Sequence, residues 1–168
     1  MYKDAILSEN KRYRYMLTRI WDESKPMVMW VMLNPSTADA SNDDPTIRKC
    51  IAFAKSWGYG GIYVGNLFAF RATNPKRLLQ ITEPIGAENE EYIRMYAEKV
   101  DKVICAWGNP VIIDRIWQPV LRKVLTFEHT KLHYLALCKD GETPKHPLYL
   151  NSKLVPVAFL KKEVGGGI

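Results

Sequence analysis

Three polar side chains stand where apolar runs of the chain give way to loops: Asn34 after MVMWVML, Asn66 near the end of IYVGNLF, and His146 in the polar segment 139–150. An asparagine amide offers two donors and an acceptor with two lone pairs, so it can orient a small molecule or read a ligand edge. Buried without partners it is costly. Each also has a purely structural reading: an Asx-turn closing the strand for Asn34, a core amide bonded to backbone for Asn66, an ordinary loop histidine for His146. Asp39, Asp43 and Asp44 could supply carboxylates for acid–base or metal chemistry. Against that, Asp44 directly precedes Pro45 and reads as a helix cap, and the other two as solvated loop residues. Arg71, Lys76 and Arg77 form a basic stretch that could meet phosphates, or simply face solvent. The glycines make neither G-x-G-x-x-G nor a phosphate-binding P-loop.

The elements around these residues alternate. Tyr13 to Asp22 and Met27 to Leu33 are β-rich and flank the turn Glu23-Ser24-Lys25-Pro26, which predicts a hairpin. The second run is apolar throughout, as a strand covered on both faces requires. Asp44-Pro45 opens a helix in which Ile47, Cys50, Ile51 and Ala54 share a face and Gly58 provides the stop. A strand follows over 62–68, then an amphipathic helix over about Ala87 to Val100 with Tyr92, Met95, Tyr96 and Val100 on one side. A further strand covers Lys102 to Trp107, a helix kinked by Pro119 comes next, and a last strand runs from Leu132 to Cys138. The pattern predicts a three-layer α/β/α sandwich on a mainly parallel sheet with an antiparallel hairpin edge. It forms one domain over residues 1–160, and 161–168, with Gly165-Gly166-Gly167, reads as a flexible tail. In such sheets ligands sit outside the carboxyl ends of the strands, which is where Asn34, Asn66 and His146 fall.

Composition bounds the function. The chain has 168 residues, 47% of them hydrophobic, enough for one core without staples. No segment approaches the roughly 20 apolar residues of a membrane helix, and the first residues lead into no signal-peptide core, so a cytoplasmic location is expected. Cys50, Cys105 and Cys138 are scattered in apolar segments without a C-x-x-C pair. They read as three buried reduced thiols, with no metal site and no cofactor. The formal net charge of +6 and a pI near 9.2 favour a polyanionic partner such as DNA or a nucleotide-like ligand. Nothing points to a membrane or an obligate protein partner.

Taken in order, the segments carry a resemblance. WVMLNPSTADASNDDPTIRKC, WGYGG, NLFAFRAT and HPLYL resemble, over nearly the whole chain, a family of uncharacterised bacterial and phage proteins. More remotely the order is similar to the uracil-DNA glycosylase superfamily: Leu33-Asn34-Pro35-Ser36 to its first motif, Ile62 to Pro75 to a strand and loop bearing a base-reading Asn, Val103 to Gly108 to a short strand ending in Gly, and His146-Pro147 to its His-Pro motif. That resemblance implies a glycosylase-like fold. It also implies catalysis by Asn34, which would orient the attacking water, and His146, which would stabilise the leaving base. Pro35, Ser36, Asn66, Phe68 and Tyr149 would hold the base, and Arg71, Lys76 and Arg77 the phosphates. The expected activity is N-glycosidic hydrolysis of a damaged or modified base in DNA. Alternatives are the same chemistry on a free nucleotide or nucleoside-like metabolite, and a silent nucleotide- or nucleic-acid-binding module on the same fold.

Overall fold

The computed structural model describes residues 1–112 and 129–159. Its strands are β1 (Tyr2–Leu7), β2 (Arg14–Ile20), β3 (Met27–Met32), β4 (Gly61–Asn66), β5 (Val103–Cys105), β6 (Leu132–Tyr134) and β7 (Val157–Ala158). They form one sheet in the order β1-β2-β4-β3-β5-β6-β7. β3 sits between β4 and β5, parallel to both, and β5 runs parallel to β6. β2 is antiparallel to β1 and β4, and β7 to β6. The sheet is therefore mixed, a parallel centre with antiparallel strands at both edges, where an antiparallel hairpin at one edge of a mainly parallel sheet was expected.

The hairpin expected between 13–22 and 27–33 does not form, because β4 lies between β2 and β3. The physical reason is the apolar character of β3 on both faces. Val28, Met29, Trp30 and Val31 are all fully buried, and a strand of that kind needs neighbours on either side and helices above and below. The hairpin edge is made instead by β1 and β2, joined through a turn in which Lys11 takes the left-handed conformation, φ 61°. The sequence reading assigned no strand to Tyr2–Leu7. Its residues are at best half-buried, as an outermost strand allows.

Helix α1 (Pro45–Ser56) begins as expected: the Asp44 carboxylate accepts from the Ile47 N–H at 2.9 Å and Pro45 occupies the first turn. Its apolar face packs with Leu17, Val28, Trp30, Ile62, Val64 and Ile104 on one side of the sheet. Helix α2 (Asn89–Ala97) packs on the other, with Met16, Met29, Val31 and Val103. Its inward face is Asn89, Ile93 and Ala97; Met95, expected on that face, is 44% exposed. The buried Asn89 displaces the expected register, because its Nδ2 donates to the carbonyls of Asn66 (2.8 Å) and Leu67 (3.1 Å) and so ties the helix to the end of β4. The Pro119 kink and the tail 161–168 lie outside the described residues. Cys50 and Cys105 are buried, whereas Cys138 is only partly covered, since the chain leaves the sheet after Tyr134 and turns through 139–142.

Candidate functional site

All four parallel strands end on the same side of the molecule, and the loops beyond them are laced together there. Past β4, the N–H groups of Leu67 and Phe68 donate to the carbonyls of Met32 and Leu33, both at 2.9 Å, continuing the parallel pairing. The Ala72 N–H donates to the Pro35 carbonyl (2.9 Å), and Asn34 Nδ2 donates back to the Ala72 carbonyl (2.8 Å) and to Pro35 (3.1 Å). Both amide protons of Asn34 are thereby used on backbone. Its Oδ1 is the group left to accept from a bound molecule.

After β5, Gly108 and Asn109 both adopt positive φ, 60° and 57°. This sharp turn seats the later loop: the Gly108 N–H donates to the Pro144 carbonyl at 2.8 Å, and a Cβ at 108 would lie 3.2 Å from that of His146. Glycine suits the position both for its conformation and for the closeness of His146. His146 Nδ1 accepts from the Leu148 N–H at 3.3 Å, so a neutral ring carries its proton on Nε2 and is a donor there. Burial holds the imidazole below its ordinary value, opposed by the nearby Asp44 carboxylate. The neutral form is thus favoured.

These loops enclose a cavity of about 290 Å³ lined, among others, by Asn34, Pro35, Ser36, Asn66 and His146. The structure therefore brings five of the expected residues together. Phe68 is not among them: it is 1% exposed and belongs to the core on the α2 side of the sheet. Tyr149 is 94% exposed and does not line the cavity. Neither is placed to stack on a ligand inside it. Among the described residues, the large aromatic side chain in the wall is that of Trp107.

The residue that sequence reasoning missed is Arg14. Because β2 runs antiparallel to β4, its first residue, not its last, reaches the site. The signal was an arginine inside an apolar β-run. Arg14 is 2% exposed, donates from Nη1 to the Ala38 carbonyl (3.0 Å) and from Nη2 to Asn66 Oδ1 (3.4 Å), and its Nε has no protein partner. Asn66, 1% exposed, likewise has no partner for Nδ2. Burial lowers the guanidinium to about 10, with Asp44 acting in the opposite sense.

Next to the cavity, and sharing Ser36, Ala72 and Thr73 with it, lies an open groove of about 700 Å³. Lys11, Arg12, Arg71 and Arg77 line it, with no carboxylate among its lining residues. Lys76 lies outside this lining and is exposed on the 3-10 turn Pro75–Leu79. Arg71 Nη1 also donates to the Lys11 carbonyl at 3.3 Å. Asp39 and Asp43 are engaged within the fold, where solvated loop residues were expected. Asp43 pairs with Arg19 at 2.7 Å and Lys3 at 3.5 Å. Asp39 accepts from the N–H groups of Ser41 and Asn42, which hold it down at about 2. Among the described residues no group of three or more His, Cys, Asp or Glu side chains is placed to hold a metal ion, and no helix is long and apolar enough to cross a membrane.

No curated protein and no solved structure matches the chain. One family model does, over residues 14–148, a span that contains Arg14, Asn34, Asn66 and His146 alike. The chain belongs to that family, DUF1643, a family of proteins of unknown function.

Proposed function

We propose that the protein hydrolyses the N-glycosidic bond of a base in DNA, on a fold like that of the uracil-DNA glycosylases. The observation that carries this reading is the pairing of two spaces: a base-sized cavity holding Asn34, Asn66 and His146, and beside it a groove lined by four cations. An extruded base would enter the first while its strand lies along the second.

Each group has a task. The C1′–N bond breaks as the sugar gains oxocarbenium character and the base gains negative charge. Asn34 Oδ1 accepts a hydrogen bond from the attacking water and orients it. The water oxygen bonds to C1′, and its proton passes, directly or through solvent, to the departing base. His146 Nε2–H donates to an acceptor of that base as its charge grows. The Asp44 carboxylate, on the cavity wall, favours the cationic sugar. Asn66 and Arg14 hold the base edge. Asp43, whose charge would otherwise repel a phosphate strand, is paired with Arg19 and Lys3.

The test is to incubate the full chain with duplex and single-stranded oligonucleotides, each carrying one modified base, and to cleave abasic sites with alkali. Strand cleavage at one class of base, absent for Asn34→Ala, is the expected result. The absence of abasic sites on every substrate would overturn the hydrolase and leave the binding module.

A further inference from the structure

The floor of the cavity holds two buried polar side chains whose unpaired atoms are of one kind. Arg14 Nε and Asn66 Nδ2 are both donors, both without a protein partner, on residues 2% and 1% exposed that line the cavity. The orientation of the Asn66 amide is fixed by chemistry. Its Oδ1 accepts from Arg14 Nη2 at 3.4 Å, and the flipped amide would turn its NH₂ toward a guanidinium. One lone pair of Asn66 Oδ1 is therefore on Arg14, and the atoms of the two side chains left without any protein partner are both donors.

Two unpartnered donors favour a base edge that offers two acceptors. Uracil and thymine place the N3–H donor between their two carbonyls, so an edge reader needs an acceptor as well as donors. Adenine presents the N6 amine beside N7, again a donor next to an acceptor. In cytosine the group farthest from the sugar is an amine. The O6 and N7 atoms of a 6-oxopurine are adjacent and both acceptors, the pair that arginine commonly reads. We infer that Arg14 and Asn66 make the cavity selective for a 6-oxopurine, of the hypoxanthine or guanine type, held by its O6–N7 edge. This rests on the base-binding reading of the cavity and names the class of base.

The probes are inosine, guanosine, 7-deazaguanosine, adenosine and uridine, titrated against the full chain by calorimetry. Inosine and guanosine should bind about tenfold or more tightly than adenosine and uridine. 7-Deazaguanosine, which lacks the N7 acceptor, should fall to the level of adenosine. Asn66→Asp replaces the donor by a carboxylate that pairs with Arg14, so the melting temperature should rise while the selectivity disappears. Should that variant not fold, Arg14→Gln tests the same loss of selectivity. Equal binding of guanosine and 7-deazaguanosine, binding of none of the five, or selectivity that survives in the folded variant would each overturn the inference. Excision is scored separately on the oligonucleotides. Preferential release of uracil would sink this inference and keep the hydrolase, whereas selective inosine binding without any release would do the reverse.

Discussion

Two arginines of β2 are buried to the same degree and should respond oppositely to the same substitution. Arg19, fully buried, has every nitrogen used: Nε on Asp43 at 2.7 Å, Nη1 on the carbonyls of Thr18 and Asp4, Nη2 on those of Asp39 and Asn42. Arg14 has one sound bond, to Ala38, one long one to Asn66, and an unpaired Nε. Its lowering to about 10 corresponds to a penalty on the charged form of roughly 3 kcal/mol. Arg14→Met removes that penalty and deprives the Ala38 carbonyl of its donor, a loss of about 1–3 kcal/mol. The net should fall between no change and about 2 kcal/mol of added stability, as replacement of buried charges by apolar side chains often gives.

Arg19→Met breaks a compensated pair and should cost about 3–5 kcal/mol, toward the lower end because Asp43 keeps 18% of its side chain exposed. Equilibrium urea unfolding of the wild type and both variants, with unchanged slopes, measures the two values on one scale. For a chain of this length a 1 kcal/mol change moves the melting temperature by about 2–4 °C, so the variants should separate clearly in a thermal scan too. If Arg14→Met proves as destabilising as Arg19→Met, Arg14 is a structural residue. The reasoning that makes it a ligand group then fails.

The other expectations can be stated together. With its folded value depressed by burial, His146 contributes stability that is complete above the ordinary histidine range and is lost as pH falls through it toward the folded value, by up to about 1.4 kcal/mol per pH unit; unfolding at pH 7.5 and 5 should show this in the wild type and not in His146→Gln. Asn34→Ala should lower kcat by about 100-fold while binding persists, provided calorimetry shows that losing the bond to Ala72 has not unfolded the loop. Arg71→Ala and Arg77→Ala should each weaken binding to all DNA sequences alike and make the log–log salt slope shallower by about one; a salt-independent affinity would remove DNA from the reading. A thiol reagent should label Cys138 first and leave Cys50 and Cys105, whose burial raises both thiols, intact until unfolding.

What could be read from the sequence was whatever is local. The Asp44-Pro45 start of α1, its apolar face and the central apolar strand follow from spacing and capping within a dozen residues, and they appear as expected. Asn34, Asn66 and His146 share a cavity because a parallel sheet sends the ends of its strands to one side. The errors come from pairing decided at long range. The order β2-β4-β3 cannot be read from the turn 23–26, since a short turn permits a hairpin without compelling one. Arg14 was missed for the same reason: only when β2 is known to run against β4 does the start of a strand belong among the strand ends. Phe68 failed as a base platform because the two-residue alternation that places Asn66 does not continue into the loop, where Phe68 turns into the core.

An unpaired buried atom does not by itself mark a site, and this chain contains the comparison that shows why. Four buried side-chain atoms lack a protein partner among the described residues: Arg14 Nε, Trp30 Nε1, Asn66 Nδ2 and Asn89 Oδ1. Each carries a desolvation cost of about 1–3 kcal/mol, more for a charged group. Trp30 offsets its share by packing: its ring stands 5.7 Å from that of Trp57 and 6.1 Å from that of Phe53, in the core beneath α1. Asn89 uses both amide protons to fix α2 against β4. Arg14 and Asn66 have no comparable return within the fold, since the contact between them is a long 3.4 Å and their remaining donors lie on residues that line a cavity. Binding an acceptor edge there would repay the cost at the moment of recognition, which is why affinity gained by ligand and stability gained by Asn66→Asp should be mutually exclusive.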